Sequence, residues 1–284
     1  MLNKSIEDII LREDKRSMAS LRPYLQSDFC TRSAQFILDN KGPVLIATGF
    51  YILSCDAIET DGPPGALAIG NALTSLGFPV AYVTDPYSDS VMKGLDPNLK
   101  LYKSPIANWD DSYAFASAVC EEFQPSLFIS IERCSANSKD KYLNMRSLDI
   151  SNYTAKLDPF ASLINNSVGI GDGGNEIGMG NLAEVISEIP KLPDDPAITQ
   201  CTHLVIASVS NWGGYGLVAA LSQLTGENLL PTKEGETEII KRCLQFGVVD
   251  GYLGSLSESV DGFTIEENLE TLRLLHEIVN ISDK

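Results

Sequence analysis

Short apolar runs rich in β-branched residues recur along the chain, and stretches of helical period fill the gaps between them. Val44–Thr48, Val80–Thr84, Ser126–Ile131, Val168–Ile170 and Leu204–Ser208 read as strands, with a weaker one at Leu99–Lys103. Continuous apolar runs of this length suit strands covered on both faces. Between the first two, residues 65–77 (GALAIGNALTSLG) set Ile69, Leu73 and Leu76 on one face, and Gly77 stands where a helix would end. Helical spacing returns at Tyr113–Phe123, Pro159–Asn165, Leu182–Ile189, Gly216–Leu224 and Glu238–Phe246, the last two each followed by glycine. A final helix, Ile265–Ile281, carries Leu269, Leu272, Leu275 and Ile278 near that spacing. Strands alternating with helices predict an α/β fold: a doubly wound, mostly parallel, Rossmann-like sheet with helices on both faces. Residues 1–40 read as a helical N-terminal arm and 41–284 as a single α/β domain. The three prolines of 189–200 (IPKLPDDPAITQ) mark an exposed loop.

In such a sheet, ligands bind beyond the carboxyl ends of the strands. The segments that follow the strands are 47–65 (ATGFYILSCDAIETDGPPG), 83–89 (VTDPYSD), 130–141 (SIERCSANSKDK), 169–181 (GIGDGGNEIGMGN) and 207–216 (ASVSNWGGYG). Nearly every Gly-rich or unusually polar cluster falls in one of them, so they are expected to converge on one rim. Segment 171–180 holds five glycines in ten residues, which permits close backbone approach to a ligand. Its amides could cradle an anion, but Asp172 and Glu176 share the loop, and carboxylates repel phosphate unless a cation intervenes. Gly169, Gly171 and Gly174 match a dinucleotide-binding spacing, a weak signal alone. The loop is therefore a structural turn, a dinucleotide loop or a substrate and metal loop, with Gly173, Gly174 and Asn175 as its ligand-facing candidates.

Asp56, Glu59 and Asp61 lie within six residues, just before Pro63-Pro64 open a helix. Oxygen ligands so spaced can hold a hard cation, or Asp61 can cap that helix while Asp56 is solvated. Residues 131–147 gather Glu132, Arg133, Lys139, Lys141 and Arg146 after a strand. That basic cluster could grip a small carboxylate, or it could be a solvated helix face. Lys156 and Asp158 continue the same polar stretch, and Asp85 ends the second strand at the rim.

Composition narrows the partners. With 21 Lys+Arg against 38 Asp+Glu in 284 residues, the chain carries a net charge of −17, a poor match to nucleic acid or anionic membrane faces. No apolar run reaches the roughly 20 residues of a membrane span. The early Glu7, Asp8, Glu13 and Asp14 argue against a secretory leader or an acid-poor transit peptide. Six scattered cysteines without a CxxC fit reduced thiols and a cytoplasmic setting. His203 and His276, the two histidines, suggest neither a metal triad nor Ser-His-Asp machinery, and no GxSxG or Walker A sequence occurs. Cys134 beside Arg133 is a weak nucleophile candidate, and Trp212 is either pocket wall or core.

Three segments taken together, TGFYILSCDAIETDGPPGALAIGNAL, IERCSANSKDKYLNMRSLDIS and GIGDGGNEIGMGN, resemble the D-glutamate cyclase-like C-terminal domain family. The resemblance spans about residues 40 to 265. In animal members this domain forms the C-terminal half of a longer mitochondrial protein that converts D-glutamate to 5-oxo-D-proline. The resemblance therefore implies a lyase acting on D-glutamate or a related small amino dicarboxylate, with a mitochondrial setting as the alternative compartment. Such a cyclisation needs a base for the ammonium proton, an acid or Lewis acid at the γ-carboxyl, and cations for the α-carboxylate. Glu59, Asp61, Asp172 and Glu176 are the candidate catalytic carboxylates. Asp61, Asp172 and Glu176 are candidate ligands of a divalent ion, Mg²⁺ or Mn²⁺. Arg133, Lys139 and Lys156, with Gly173, Gly174 and Asn175, are the candidate substrate contacts. The competing expectation is a non-catalytic module that binds a nucleotide or metabolite on a Rossmann-like sheet and regulates a partner. Homo-oligomerisation is left open.

Overall fold

A computed structural model describes residues 4–281. Six parallel strands form its sheet: β1 (Val44–Ala47), β2 (Val80–Thr84), β3 (Leu101–Lys103), β4 (Leu127–Ile131), β5 (Ser167–Gly171) and β6 (His203–Ile206). They lie in the order β3-β2-β1-β4-β5-β6, with Val44 level with Val80 on one side and Leu127 on the other. The order reverses direction between β1 and β4, and the crevice outside their carboxyl ends is where doubly wound sheets place ligands.

Alternation along the strands sends side chains into two cores. Val44, Ile46, Ile129 and Ile170 join the larger one. Leu45, Ala47, Val83 and Phe128 face the opposite layer. The larger layer is built by α1 (Ile6–Ile10), α2 (Phe29–Asp39), α3 (Pro63–Ser75), α8 (Ser210–Thr225), α9 (Lys233–Gln245) and α10 (Ile265–Ile281). Helices α5 (Trp109–Phe123) and α6 (Asp158–Leu163) cover the other side with Ala116, Val119 and Phe160. Two further helices, α4 (Pro86–Leu95) and the short α7 (Ala183–Ile186), lie at the rim and beyond the Gly-rich loop.

The strands fall within a residue or two of their expected limits, α5 and α9 begin four and five residues before theirs, and three further features differ. Segment 83–89 is not only loop: Asp85 caps α4 through its carboxylate, which accepts from the amides of Tyr87 and Ser88, with Pro86 at the first helical position. Helix α8 starts six residues before its expected limit despite Gly213 and Gly214, because contact rather than propensity selects those glycines. A Cβ on Gly213 would lie 2.7 Å from Ile170 Cγ2, and one on Gly214 would lie 3.2 Å from Gly65 Cα. Segment 189–200 is not simply exposed. Ala197 and Ile198 donate to the carbonyls of Gly174 and Ala136 at 3.1 and 3.0 Å, so the segment is strapped across the Gly-rich loop.

Residues 4–40 hold α1, a 3₁₀ helix (Met18–Tyr24) and α2, and pack closely. Ile6, Ile9, Ile10, Met18, Leu21, Phe29 and Ile37 are buried in the larger core, and the Ile10 carbonyl accepts from Ser208 at the end of β6. Trp212 belongs to that core and donates from Nε1 to Asn268 at 2.7 Å.

Candidate active site

Two helix N-termini frame the crevice, and each is capped by a side chain at the start of the other. Asp61 precedes α3, yet its carboxylate accepts from the amides of Ser210 (2.8 Å) and Asn211 (2.7 Å) at the start of α8. Asn211 reciprocates, its Oδ1 accepting from Gly62 (3.0 Å) and Gly65 (2.8 Å) at the start of α3. Asp61 thus caps α8 from a distance, while its Oδ1 also accepts from Gly62 (3.0 Å) at the start of the helix that follows it. Both positive helix ends point at the crevice and offset part of the negative charge gathered there.

The Gly-rich loop turns back on itself. Glu176 accepts from the amides of Asp172 (3.1 Å), Gly173 (2.7 Å) and Gly174 (2.8 Å). The anion cradle anticipated for this loop exists, and the chain's own carboxylate fills it. Gly174, at φ +88°, makes the turn possible. Asn175 anchors the loop by donating to the Leu143 carbonyl at 2.8 Å. Glu132, directly after β4, holds the left-handed φ of +44° and accepts from Ser210 Oγ at 2.5 Å. Strained backbone at the end of a central strand is characteristic of functional positions.

Glu59, Asp61, Glu132, Asp172, Glu176 and Asp261 are all buried here. Among the described residues, one cation enters the cluster. The guanidinium of Arg16 bonds Asp172 and spans both oxygens of Asp261, at 2.5 and 3.0 Å. So many carboxylates cannot all be ionised around one guanidinium in a dry site. Burial, and then neighbouring Glu132, hold Glu59 well above the ordinary carboxylate range. Burial, and then Glu176, do the same to Glu132. Asp172 is raised by burial against the opposing pull of Arg16. Glu176 is raised by burial despite its amide partners, and Asp61 is pushed up to about 7 by burial and then by Asp261. No hydrogen bond reaches the Glu59 carboxyl among the described residues.

The cluster opens into a cleft of about 90 Å³ walled by Arg16, Glu59, Glu132, Asp172, Asn175 and Glu176, with Ile52, Leu53, Met145, Arg146 and Leu148 toward its mouth. Two carboxylate groups, Asp61–Asp172–Asp261 and Glu132–Asp172–Glu176, each offer three oxygens within 4.8 Å of one another. Hard, buried oxygen donors short of countercharge suit a divalent cation of the Mg²⁺ or Mn²⁺ type. The anticipated ligand set of Asp61, Asp172 and Glu176 is split between the two groups, which share Asp172.

The cations expected at the substrate lie elsewhere. Arg133 is fully buried, and its guanidinium is spent on Asp85 (2.5 Å) and on the carbonyls of Gly49 and Ala155, each at 2.7 Å. It locks three rim loops together. Lys139 is mostly exposed and pairs with Asp195 at 3.4 Å on the far side of Asn175. Lys156 donates to the Ala107 carbonyl at 2.6 Å beside Trp109 and Tyr142. Gly173 and Gly174 offer their amides to Glu176, not to the cleft. Cys134 is buried, and burial pushes its thiol up, against a nucleophilic role. Two site residues escaped the sequence reading altogether, Arg16 and Asp261, and Glu132 was read only within the basic cluster of 131–147 rather than as a site carboxylate. Arg16 lies in the N-terminal segment and Asp261 in the turn between the short antiparallel strands Ser259–Val260 and Phe263–Thr264, outside the parallel sheet, so only their convergence in space identifies them.

The model of the D-glutamate cyclase-like C-terminal family matches residues 6–276. Over 208 residues, 66% of this chain and 34% of the relative, the sequence is 30% identical to the Homo sapiens protein "D-glutamate cyclase, mitochondrial". The match thus spans about a third of that relative's length. The family match covers the buried acidic cleft, its cross-capped helices and the inserted Arg16 alike, and with them this chain belongs to the D-glutamate cyclase-like C-terminal family.

Proposed function

We propose that this chain is a lyase that closes glutamate, or a closely related amino dicarboxylate, to the five-membered lactam and water, with help from a divalent cation. The reading rests on the small, buried, multi-carboxylate cleft at the topological switch point. A space of about 90 Å³ is far below the roughly 300–1,000 Å³ of pockets that enclose drug-sized ligands. With the loop amides already bound to Glu176, this weighs against the nucleotide-binding alternative.

In the reaction the amine nitrogen attacks the γ-carboxyl carbon, a C–N bond forms and a C–O bond breaks. The nitrogen gives up two protons and the departing oxygen takes up two, leaving as water. One carboxyl that alternates between acceptor and donor closes that balance. Glu59 fits the role because it faces the cleft, is held by no hydrogen bond among the described residues, and burial makes its ionised form a stronger base. Glu132, Asp172 and Glu176, which all face the cleft, are the residues that would hold the cation. When bound, that cation supplies Lewis-acid polarisation of the γ-carboxyl and countercharge for the cluster. Arg16 orients Asp172 and favours its ionised form against the opposing effect of burial, and the apolar residues at the mouth limit water.

Purified protein incubated with D- and L-glutamate and Mg²⁺ or Mn²⁺ should release 5-oxoproline. Glu59→Gln should lower kcat by about 10²–10⁴-fold, and Asp172→Ala should abolish dependence on added metal. Absence of turnover by the wild type, or an Asp172→Ala variant equal to it, rejects the proposal. Free thiols at all six cysteines favour a reducing compartment, and fractionation would separate cytosol from mitochondrial matrix.

A further inference from the structure

A cleft lined by Glu59, Glu132, Asp172 and Glu176 repels an anionic substrate unless a positive group meets it. Among the described residues, two cationic side chains line the cleft. Arg16 is committed to Asp172 and Asp261. The other is Arg146, at the mouth, whose guanidinium has no hydrogen bond or ion pair among the described residues. Its backbone, by contrast, is well held. Asn144 Oδ1 accepts from the amides of Arg146 (2.9 Å) and Leu148 (3.0 Å), which closes a tight turn. That turn is docked on the Gly-rich loop, because Asn175 donates to the Leu143 carbonyl and Met145 lies over Gly173. A fixed backbone with an uncommitted, exposed guanidinium at the entrance to an acidic cleft is the arrangement expected of a carboxylate anchor.

We infer that Arg146 receives the substrate carboxylate that does not react, the α-carboxylate of a glutamate-type substrate, and so selects dicarboxylates over their monoamides. The inference deepens the lactam-forming reading and rests on it. The γ-carboxyl must reach the carboxylate-walled floor, which leaves the opposite end of a short molecule at the mouth, where Arg146 stands. A planar fork pairs with a carboxylate through two parallel bonds, and a neutral amide cannot replace the charge. The same positive group draws the anion toward a cleft whose remaining field opposes it.

The test uses the full chain with Mn²⁺ and two substrates, glutamate and its α-amide, in the enantiomer that wild type turns over. Wild type should favour the free acid, with Arg146→Gln raising KM for it about 10- to 100-fold and changing kcat less than about 3-fold. The preference over the α-amide should vanish in that variant, whereas melting temperature and Mn²⁺ binding should stay at wild-type values. Arg146→Lys, which keeps charge but loses the fork, should fall between them. An Arg146→Gln variant with unchanged KM, or one that retains the preference, overturns the assignment while leaving the reaction intact. A wild type that neither binds nor converts the dicarboxylate overturns both, and that failure shows in wild type before any variant is made.

Discussion

Gly251 shows how a single hydrogen in place of a methyl can set the chemistry of a site. A Cβ there would lie 1.7 Å from Glu59 Oε2, so Glu59 can face the cleft only because this position carries no side chain. Gly251 does not need a left-handed backbone, and alanine is tolerated conformationally. Its loop is held by Asp250, which accepts from Tyr252 (2.9 Å), Leu253 (2.8 Å) and Gly262 (2.7 Å) and thereby presents Asp261 to Arg16. Gly251→Ala is therefore expected to leave secondary structure by circular dichroism unchanged while turnover drops toward the level of Glu59→Gln. Full activity in this variant would remove Glu59 from the proton-transfer role. Nothing in the sequence around Gly251 advertises this constraint, since the carboxylate it accommodates lies nearly 200 residues away.

Among the elements, the reciprocal caps of α3 and α8 do what local capping rules alone cannot foresee. Asp61 reaches Asn211 across 150 residues of sequence, while Asn211 satisfies Gly62 and Gly65 and donates to the Thr60 carbonyl at 3.0 Å. Asn211→Ala leaves the buried Gly65 amide and the Thr60 carbonyl unpaired, while Gly62 keeps only its bond to Asp61. The expected loss is about 2 kcal/mol in denaturant unfolding, with residual activity well above that of Asp172→Ala. A loss within a few tenths of a kcal/mol would show that the caps are incidental. The sequence pattern located α3 from its apolar spacing and Gly77. It missed α4 and the first turns of α8, because prolines and glycines there act through caps and close contacts rather than through periodicity.

At the scale of the whole molecule, buried charge governs behaviour. Burial raises Glu59, Glu132, Asp172 and Glu176, and brings Asp61 up to about 7. A folded-state value above the unfolded one means that the native state binds more protons. The associated stability is fully present below about pH 4 and is lost as pH rises through 7. Metal-free protein is thus expected to melt at progressively lower temperature between pH 5 and pH 8. Mg²⁺ or Mn²⁺ should restore stability more at pH 8 than at pH 5, since cation and protons compete for the same oxygens. Thermal unfolding with and without chelator over that range checks this, and a melting temperature insensitive to both pH and cation would contradict it. Asp172→Asn should shrink the metal-dependent increment, because both carboxylate groups use that residue.

Hydrophobic period and turn chemistry are local properties, so reading along the chain was enough to establish the alternating strands, the parallel sheet and the rim on which Glu59, Asp61, Glu132, Asp172 and Glu176 gather. Which polar groups answer one another is not local. Packing in three dimensions buried Arg133 against Asp85, turned the Gly-rich amides onto Glu176, carried Arg16 in from the N-terminal segment and left Arg146 uncommitted at the entrance. Electrostatic pairing depends on distance and dielectric, and both exist only once the chain has folded.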